Sequence, residues 1–449
     1  MLPHSDFNIE KLRSLLMSDL DFHNQASNYA SHNFHSFPAK FPPQLPRKFI
    51  LELTSEGDIV LDPMVGSGTT AVETFLLNRQ VVGFDIDPLA LQITRVKTSS
   101  LDKDLVFHEL RRIIYYAAKS VESCQSEIIS EINGSYDKES IEFINKWFLK
   151  KTQIELFSIL KEIGKVNNRV LQDFFKIAFS STIITKTGGV SLALDLGHTR
   201  PHLAKKVVDK NGNLLIGESS ANIPHYLTKT LRSAITEFEK KCLQNVEGVQ
   251  KESGRQLPAT IEFGNAQNLP LAENSIDLIV TSPPYASNAI DYMRAHKFSL
   301  VWFGYPISEL VDRRKDYIGG EAITQFEFET LPTYPEFIVN KLANVDKKKS
   351  TVVHRYYSEM TRVLKEMFRV LKPQKSSIVV VGNSIIGGID VEIPFCLSEI
   401  GKSIGFRVPA IGVRQLDRNK RMLPAGNHKD LSSQIQQRMH EEHVIGFYK

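Results

Sequence analysis

Apolar positions along the chain follow two rhythms that alternate. Short runs rich in branched residues, bounded by turn residues, predict strands at Ile59–Leu61, Val81–Asp85, Ile261–Phe263 and Asp277–Thr281. Three more fall within SSIVVVGNS (376–384), GFRVPAIGV (405–413) and HVIGFYK (443–449). Elsewhere apolar residues recur every three or four positions, as in Thr69–Leu77 and in YYSEMTRVLKEMFRVLKP (356–373), which predicts helices. The segment from Gly57 to Pro88 reads strand, glycine turn, helix, strand. Such a crossover builds a parallel sheet whose ligands sit at the carboxyl ends of its strands.

The sheet pattern stops after its second strand. From about Leu101 to Thr260 long helical stretches take over, for example SIEFINKWFLKKTQIELFSILKEI (140–163). Within them, DKNG (209–212) separates Val207–Val208 from Leu214–Ile216 and predicts a hairpin, with Arg200, His202, Lys205, Lys206 and Lys210 close by. A second stretch, Tyr305 to Ser350, reads as irregular. The chain therefore divides into 1–100, 101–255 and 256–449, with a further insertion near 305–350.

With 449 residues, 42% hydrophobic and 24% charged, the chain has room for two domains or for one with large insertions, and nothing suggests disorder. The start, MLPHSDFNIEKL, lacks a basic region followed by an apolar one, and no apolar window is long enough to span a bilayer, so the expectation is cytoplasmic. Cys124, Cys242 and Cys396 lie far apart without CxxC spacing, which indicates neither a disulfide framework nor a metal site; they are expected to be reduced and buried. A net charge of +4 is too weak to prove a polyanionic partner, although DRRK (312–315), DKKKS (346–350) and DRNKR (417–421) concentrate positive charge.

Two segments carry chemistry. In DPMVGSGTT (62–70), Gly66 and Gly68 permit a tight turn close to a ligand, ahead of a helix N-terminus. Thr69 and Thr70 stand where a P-loop requires lysine and then serine or threonine, so triphosphate binding is disfavoured. Asp85 and Asp87 end the second strand, where a ribose diol is commonly gripped; Asp87 is equally placed to cap the helix that begins at Pro88. In LIVTSPPYAS (278–287) the two prolines stop the ladder and hold Ser282–Tyr285 extended, with carbonyl acceptors unclaimed. Tyr356 and Tyr357 read as helix packing. Asp291, Tyr292 and Arg294, in a buried helix after this loop, are candidates for touching substrate.

Together with HSFPAKFPPQL (35–45), the motifs DPMVGSGTT, GFDIDP and TSPPY resemble the DNA amino-methyltransferases, which use S-adenosylmethionine to methylate cytosine N4 or adenine N6. The resemblance covers both ends of the chain and leaves out the middle. It implies an α/β fold: a seven-stranded Rossmann-like methyltransferase sheet, ordered 3-2-1-4-5-7-6 with the last strand antiparallel, carrying a large, mostly helical insertion. It implies that Asp62, Gly66, Ser67 and Gly68 surround the methionine part of the cofactor, with Pro63 and Thr69 in the same loop, and that Asp85 holds the ribose. Lys40 is a candidate contact or a surface lysine beside a turn. Asn265, in FGNAQ, stands where the family commonly has an acid facing the adenine amine; an amide can still accept from that amine.

Ser282, Pro283, Pro284 and Tyr285 then become the catalytic segment. Acceptors at Ser282 Oγ and the Pro283 carbonyl would bind the hydrogens of a conjugated amine and favour attack, and Tyr285 would offer a stacking face to a flipped base. No Pro-Cys pair exists for carbon methylation through a cysteine nucleophile, so the acceptor is expected to be nitrogen. Serine at the first position favours cytosine N4 over adenine N6. The implied partners are double-stranded DNA, read by the 101–255 insertion or by 305–350, and a cognate restriction endonuclease. An RNA amino-methyltransferase and a non-catalytic DNA-binding regulator are the rival readings.

Overall fold

A computed structural model describes residues 4–38, 40–196, 201–218, 224–249, 257, 259–286, 291–320, 326–416 and 441–449. Seven strands form one sheet: β1 (Ile59–Asp62), β2 (Gln80–Asp85), β3 (Ala259–Phe263), β4 (Ile276–Thr281), β5 (Leu371–Gly382), β6 (Ile411–Gln415) and β7 (Glu441–Tyr448). Their order is 3-2-1-4-5-7-6, and β7 runs antiparallel to both neighbours while the other pairs are parallel. This is the order that the resemblance implies. β1 lies between β2 and β4, so the connections diverge from it and leave a crevice at the strand ends, where sheets of this kind bind ligands.

Period-two alternation sends each strand's residues to opposite layers. Val60, Leu278, Val280, Ile378 and Val380 meet helix Gln44–Leu53 through Leu45, Phe49 and Ile50. Their neighbours Leu61, Ile279, Val379 and Val381 meet helix Lys347–Val370 through Tyr357, Met360 and Leu364. All six residues of β4 are buried, as expected of a central parallel strand. Tyr356 and Tyr357 are helix packing, as expected.

The inserted helices grow on the helix Pro88–Lys97 that follows β2. Its Leu89, Ile93 and Val96 share one apolar cluster with Phe174, Phe175 and Phe179 of helix Arg169–Ile183 and with Phe298 and Trp302. Stretch 140–163 is helical on both sides of one break. It breaks at the extended Phe148, whose buried ring packs 5.3 Å from Trp302 and 6.3 Å from Phe298, and helices Lys138–Trp147 and Lys150–Gly164 flank the break. The hairpin forms as predicted: Lys206–Val208 pairs antiparallel with Leu214–Ile216, and Asp209 Oδ1 accepts from Asn211 N at 2.8 Å and Asn213 N at 2.9 Å. Thr228–Thr230 adds a parallel third strand, which the sequence reading missed. Gly197–Arg200 and DRNKR lie outside the described residues.

The stretch 305–350 is more regular than expected, with helices Ile307–Arg313 and Thr333–Ala343 and the start of Lys347–Val370. Pro306 and Pro332 precede the first two as helix starts, and Pro335, Ile338, Val339 and Leu342 form a buried face at helical spacing that the surrounding charge obscures. Cys242 and Cys396 are buried, but Cys124, at the junction of two surface helices, is half-buried. Among the described residues no helix is long and apolar enough to cross a membrane.

Candidate active site

The glycine loop leaves β1 at Asp62 and enters helix Thr69–Leu76. Gly68 adopts φ +78°, and a Cβ there would lie 2.7 Å from Thr94 Oγ1, so the turn needs glycine for conformation and for space. Side chains from neighbouring elements fix the loop. Asp62 Oδ1 accepts from Met64 N at 3.1 Å and from Thr281 Oγ1 at 2.7 Å, which ties the end of β1 to the end of β4. Asp85 Oδ2 accepts from Gly66 N at 2.8 Å and its Oδ1 from Asp87 N at 2.9 Å. Lys97, fully buried, donates from Nζ to the Ser67 carbonyl at 2.8 Å.

A cleft of about 900 Å³, open solvent at its mouth included, lies above this loop. Of the residues singled out from the sequence, Lys40, Asp62, Pro63, Gly66, Ser67, Thr69, Asp85, Asn265, Ser282 and Pro284 line it. Gly68, Pro283 and Tyr285 do not. Gly68 turns the chain behind the wall, and Tyr285 Oη donates to Glu442 Oε1 of β7 at 3.1 Å, with Glu442 in turn paired to Arg414. Burial and the Glu442 charge hold the Tyr285 phenol well above its ordinary value. Lys40 sits beside the cleft and donates to the His32 carbonyl at 3.1 Å. Asn265 Oδ1 accepts from Gln267 N at 3.0 Å in a local turn, so its position is set by its own backbone.

The two acids at the end of β2 are shifted in opposite directions. Burial, then the Asp87 charge, pushes the Asp85 carboxyl up to about 7. Burial pushes Asp87 up as well, but His296 and Tyr317 outweigh it and hold the carboxyl below its ordinary value. Asp87 Oδ1 caps helix Pro88–Lys97 through Leu89 N and Ala90 N, while Oδ2 binds His296 Nδ1 at 2.6 Å and accepts from Tyr317 Oη at 3.0 Å. Capping and cavity-lining are thus both true of Asp87. Burial raises Asp62 to about 6.

Several lining residues were missed: Phe37, Tyr317, Asp316 and Ile318. Tyr292, named as a substrate candidate, lines the cleft, whereas Asp291 and Arg294 pair with each other at 3.0 Å outside the lining. Phe37 reaches the cleft because its segment is pinned to helix Thr69–Leu76: the fully buried Glu73 accepts from Tyr29 Oη at 2.6 Å, meets His32 Nε2 at 2.7 Å and accepts from Arg47 at 3.1 Å. Its ring stacks on Tyr292, 5.0 Å between centroids and 27° between planes. Aromatic faces beside two carboxylates suit a cationic ligand with an aromatic part, and Asp85 keeps lone pairs for hydroxyl donors beyond the two backbone N–H groups.

Comparison with known proteins gives the same direction. A family model described as DNA methylase matches residues 18–95, the segment that carries Phe37, the glycine loop and Asp85. The Type II methyltransferase M.MvaI of Kocuria varians is 24% identical over 85% of this chain and 83% of its own. The Type II methyltransferase M.BsoBI of Geobacillus stearothermophilus is 24% identical over 85% of this chain and 79% of its own. Among solved structures, a SAM-dependent methyltransferase of Methanosarcina mazei aligns with 89% of this chain and 96% of its own at 11% identity and a TM-score of 0.28.

Proposed function

We propose that the chain is an S-adenosylmethionine-dependent DNA amino-methyltransferase that methylates the exocyclic N4 amine of cytosine at specific sites in double-stranded DNA. The observation that carries this reading is the convergence of Ser282 and Pro284 with Asp62, Asp85 and the glycine loop on one cleft. When bound, S-adenosylmethionine supplies an electrophilic methyl group on a sulfonium. The loop 62–69 would hold its methionine part and Asp85 its ribose hydroxyls, with Phe37 and Tyr292 as the aromatic wall.

The remaining chemistry belongs to the chain's own residues. An amine on an aromatic ring is a poor nucleophile because its lone pair is delocalised into the ring. Ser282 Oγ and the Pro283 carbonyl accept its two hydrogens and favour the tetrahedral geometry in which that pair is available. The prolines hold these acceptors rigid, so little reorganisation is needed at reaction. A base extruded from the duplex needs a stacking face outside the cofactor cleft, the role we assign to Tyr285, whose ring is anchored through Glu442.

Serine at position 282 favours cytosine over adenine. Nucleoside mass spectrometry of DNA from cells expressing the protein should then contain N4-methylcytosine. Ser282→Ala should lower it by about two orders of magnitude, the scale of losing one transition-state hydrogen bond, with cofactor binding retained. N6-methyladenine alone would overturn the cytosine assignment and leave the amino-methyltransferase reading in place. Site recognition we assign to residues 101–255, through the basic hairpin. A cognate restriction endonuclease would accompany such an enzyme; the Type II names of its relatives support that reading.

A further inference from the structure

Four cationic side chains from two helices and a short turn come close to one another. Arg294 and Lys297 stand on helix Tyr292–Leu300, Arg314 opens the short turn Arg314–Asp316, and Lys146 lies in the last turn of helix Lys138–Trp147. Two of these segments reach the cleft. Tyr292 lies two residues before Arg294 and Asp316 two after Arg314, and both Tyr292 and Asp316 line the cleft.

One carboxylate meets this group. Asp291 accepts from Arg294 Nε at 3.0 Å and pairs with Arg314. Among the described residues no second carboxylate lies within ion-pair distance of Arg294, Lys297, Arg314 or Lys146, so positive charge is in excess. Lys297 Nζ stands 5.4 Å from the Phe143 ring, and that ring lies 6.3 Å from Trp147, over which Lys146 stands at 5.6 Å. Burial, then Arg314, with Arg294 and Lys146 adding and Asp291 opposing, holds the Lys297 ammonium below its ordinary value.

The run DRRK is thereby sorted into two kinds of charge. Arg313 is neutralised by Glu309 at 2.7 Å and Lys315 by Asp312 at 2.6 Å, each within its own turn. Arg314 turns instead to the rim, on the same side as Arg294.

The geometry points to Arg294, Lys297, Arg314 and Lys146 as the seat of the DNA phosphodiester backbone beside the extruded nucleotide, an inference that rests on the DNA-methyltransferase reading above. Guanidinium groups shared on a single acid keep donors for phosphate oxygens, and the ammonium groups add charge without a carboxylate to displace. A duplex lying across the cleft mouth would then be positioned without its sequence being read.

The test is duplex binding by fluorescence anisotropy over a salt series, using the full chain. The triple variant Arg294→Gln, Lys297→Gln, Arg314→Gln should bind about tenfold or more weakly at low salt, and the slope of log affinity against log salt should become shallower by about two to three, near 0.9 per lost phosphate contact. Arg313→Gln with Lys315→Gln should leave the slope unchanged. An unchanged slope in the triple variant, or an equal loss in the Arg313 and Lys315 pair, overturns the assignment. Asp291→Asn keeps a capping side chain and removes the opposing charge. If the triple variant does not fold, this change decides: tighter duplex binding supports the rim, and unchanged or weaker binding overturns it. Wild-type protein that binds and methylates DNA while the triple variant keeps its slope overturns the rim alone; wild-type protein that binds no duplex at low salt overturns the methyltransferase reading as well.

Discussion

The floor of the cleft and its rim come from two different kinds of chain. The floor is made by β1, β2 and the turns that leave them, so Asp62, Gly66, Ser67 and Asp85 all come from 24 consecutive residues, 62–85. The rim is made by Phe37, Tyr292 and Asp316–Ile318, which meet only because Glu73 pins one segment and Asp87 ties another. Strand ends and glycine turns fix a floor locally, whereas a rim depends on packing between insertions. A floor of that kind can stay the same while the rim and the insertions beyond it are exchanged.

Altering an insertion should leave the floor unchanged. Excising the hairpin outright would be a poor test, because Lys206–Val208 is the middle strand of its small sheet and Val207 is fully buried against Leu192 and Leu231. Lys205→Gln, Lys206→Gln and Lys210→Gln together remove its charge without emptying that cluster. Site-specific methylation should fall by about a hundredfold, as expected when about three phosphate or base contacts of some 1 kcal/mol each are lost. Cofactor affinity measured by calorimetry should not move. Retained site specificity would shift recognition to 305–350.

A change in the floor should do the reverse. Asp85→Asn should weaken cofactor binding by about 1.5–3 kcal/mol, the range for a hydrogen bond to a charged group, while the fold survives. The wild-type pH profile provides an internal check. The carboxylate form is the acceptor, so affinity should fall as pH drops below about 7, and the variant should keep only the drop below about 6 that belongs to Asp62. These two carboxyls do not themselves unfold the chain over that range. Both folded values lie above the ordinary carboxyl value, so the folded state binds more protons between about pH 4 and 7, and these groups stabilise it further as pH falls through that window. Calorimetry that finds the two profiles alike would remove Asp85 from the ribose site.

What the sequence disclosed follows the same division. Strand positions, the glycine loop, Asp85 and the rigid Ser282–Tyr285 segment were legible because each rests on a few adjacent residues with restricted backbone choices, whereas the strand order came only from the resemblance. Asp87 was legible as a cap but not as the partner of His296 and Tyr317, which lie 209 and 230 residues away. The break at Phe148 inside 140–163 was not legible, because periodicity registers the apolar face and not the long-range contacts of Phe148 that interrupt it. Tyr317 left no signal at all. It lies in a stretch that reads as irregular, and its role is created by tertiary contact.

Tyr317 therefore offers the smallest and most specific test of how far the rim shapes the floor. Its hydroxyl donates to Asp87 Oδ2, burial and then the Asp87 charge raise the phenol far above its ordinary value, and its side chain lines the cleft. Tyr317→Phe keeps the ring and deletes the hydrogen bond, while His296 still holds the same Asp87 oxygen at 2.6 Å. The cost should be about 1 kcal/mol of cofactor affinity, roughly fivefold, the ordinary net worth of one hydrogen bond when the acceptor keeps another partner. Turnover at saturating cofactor should be unchanged, because the Tyr317 hydroxyl is bonded to Asp87 and not to Ser282 or the Pro283 carbonyl. If turnover falls and affinity holds, the segment 314–318 acts on the catalytic side of the cleft, and floor and rim are not separate at that point.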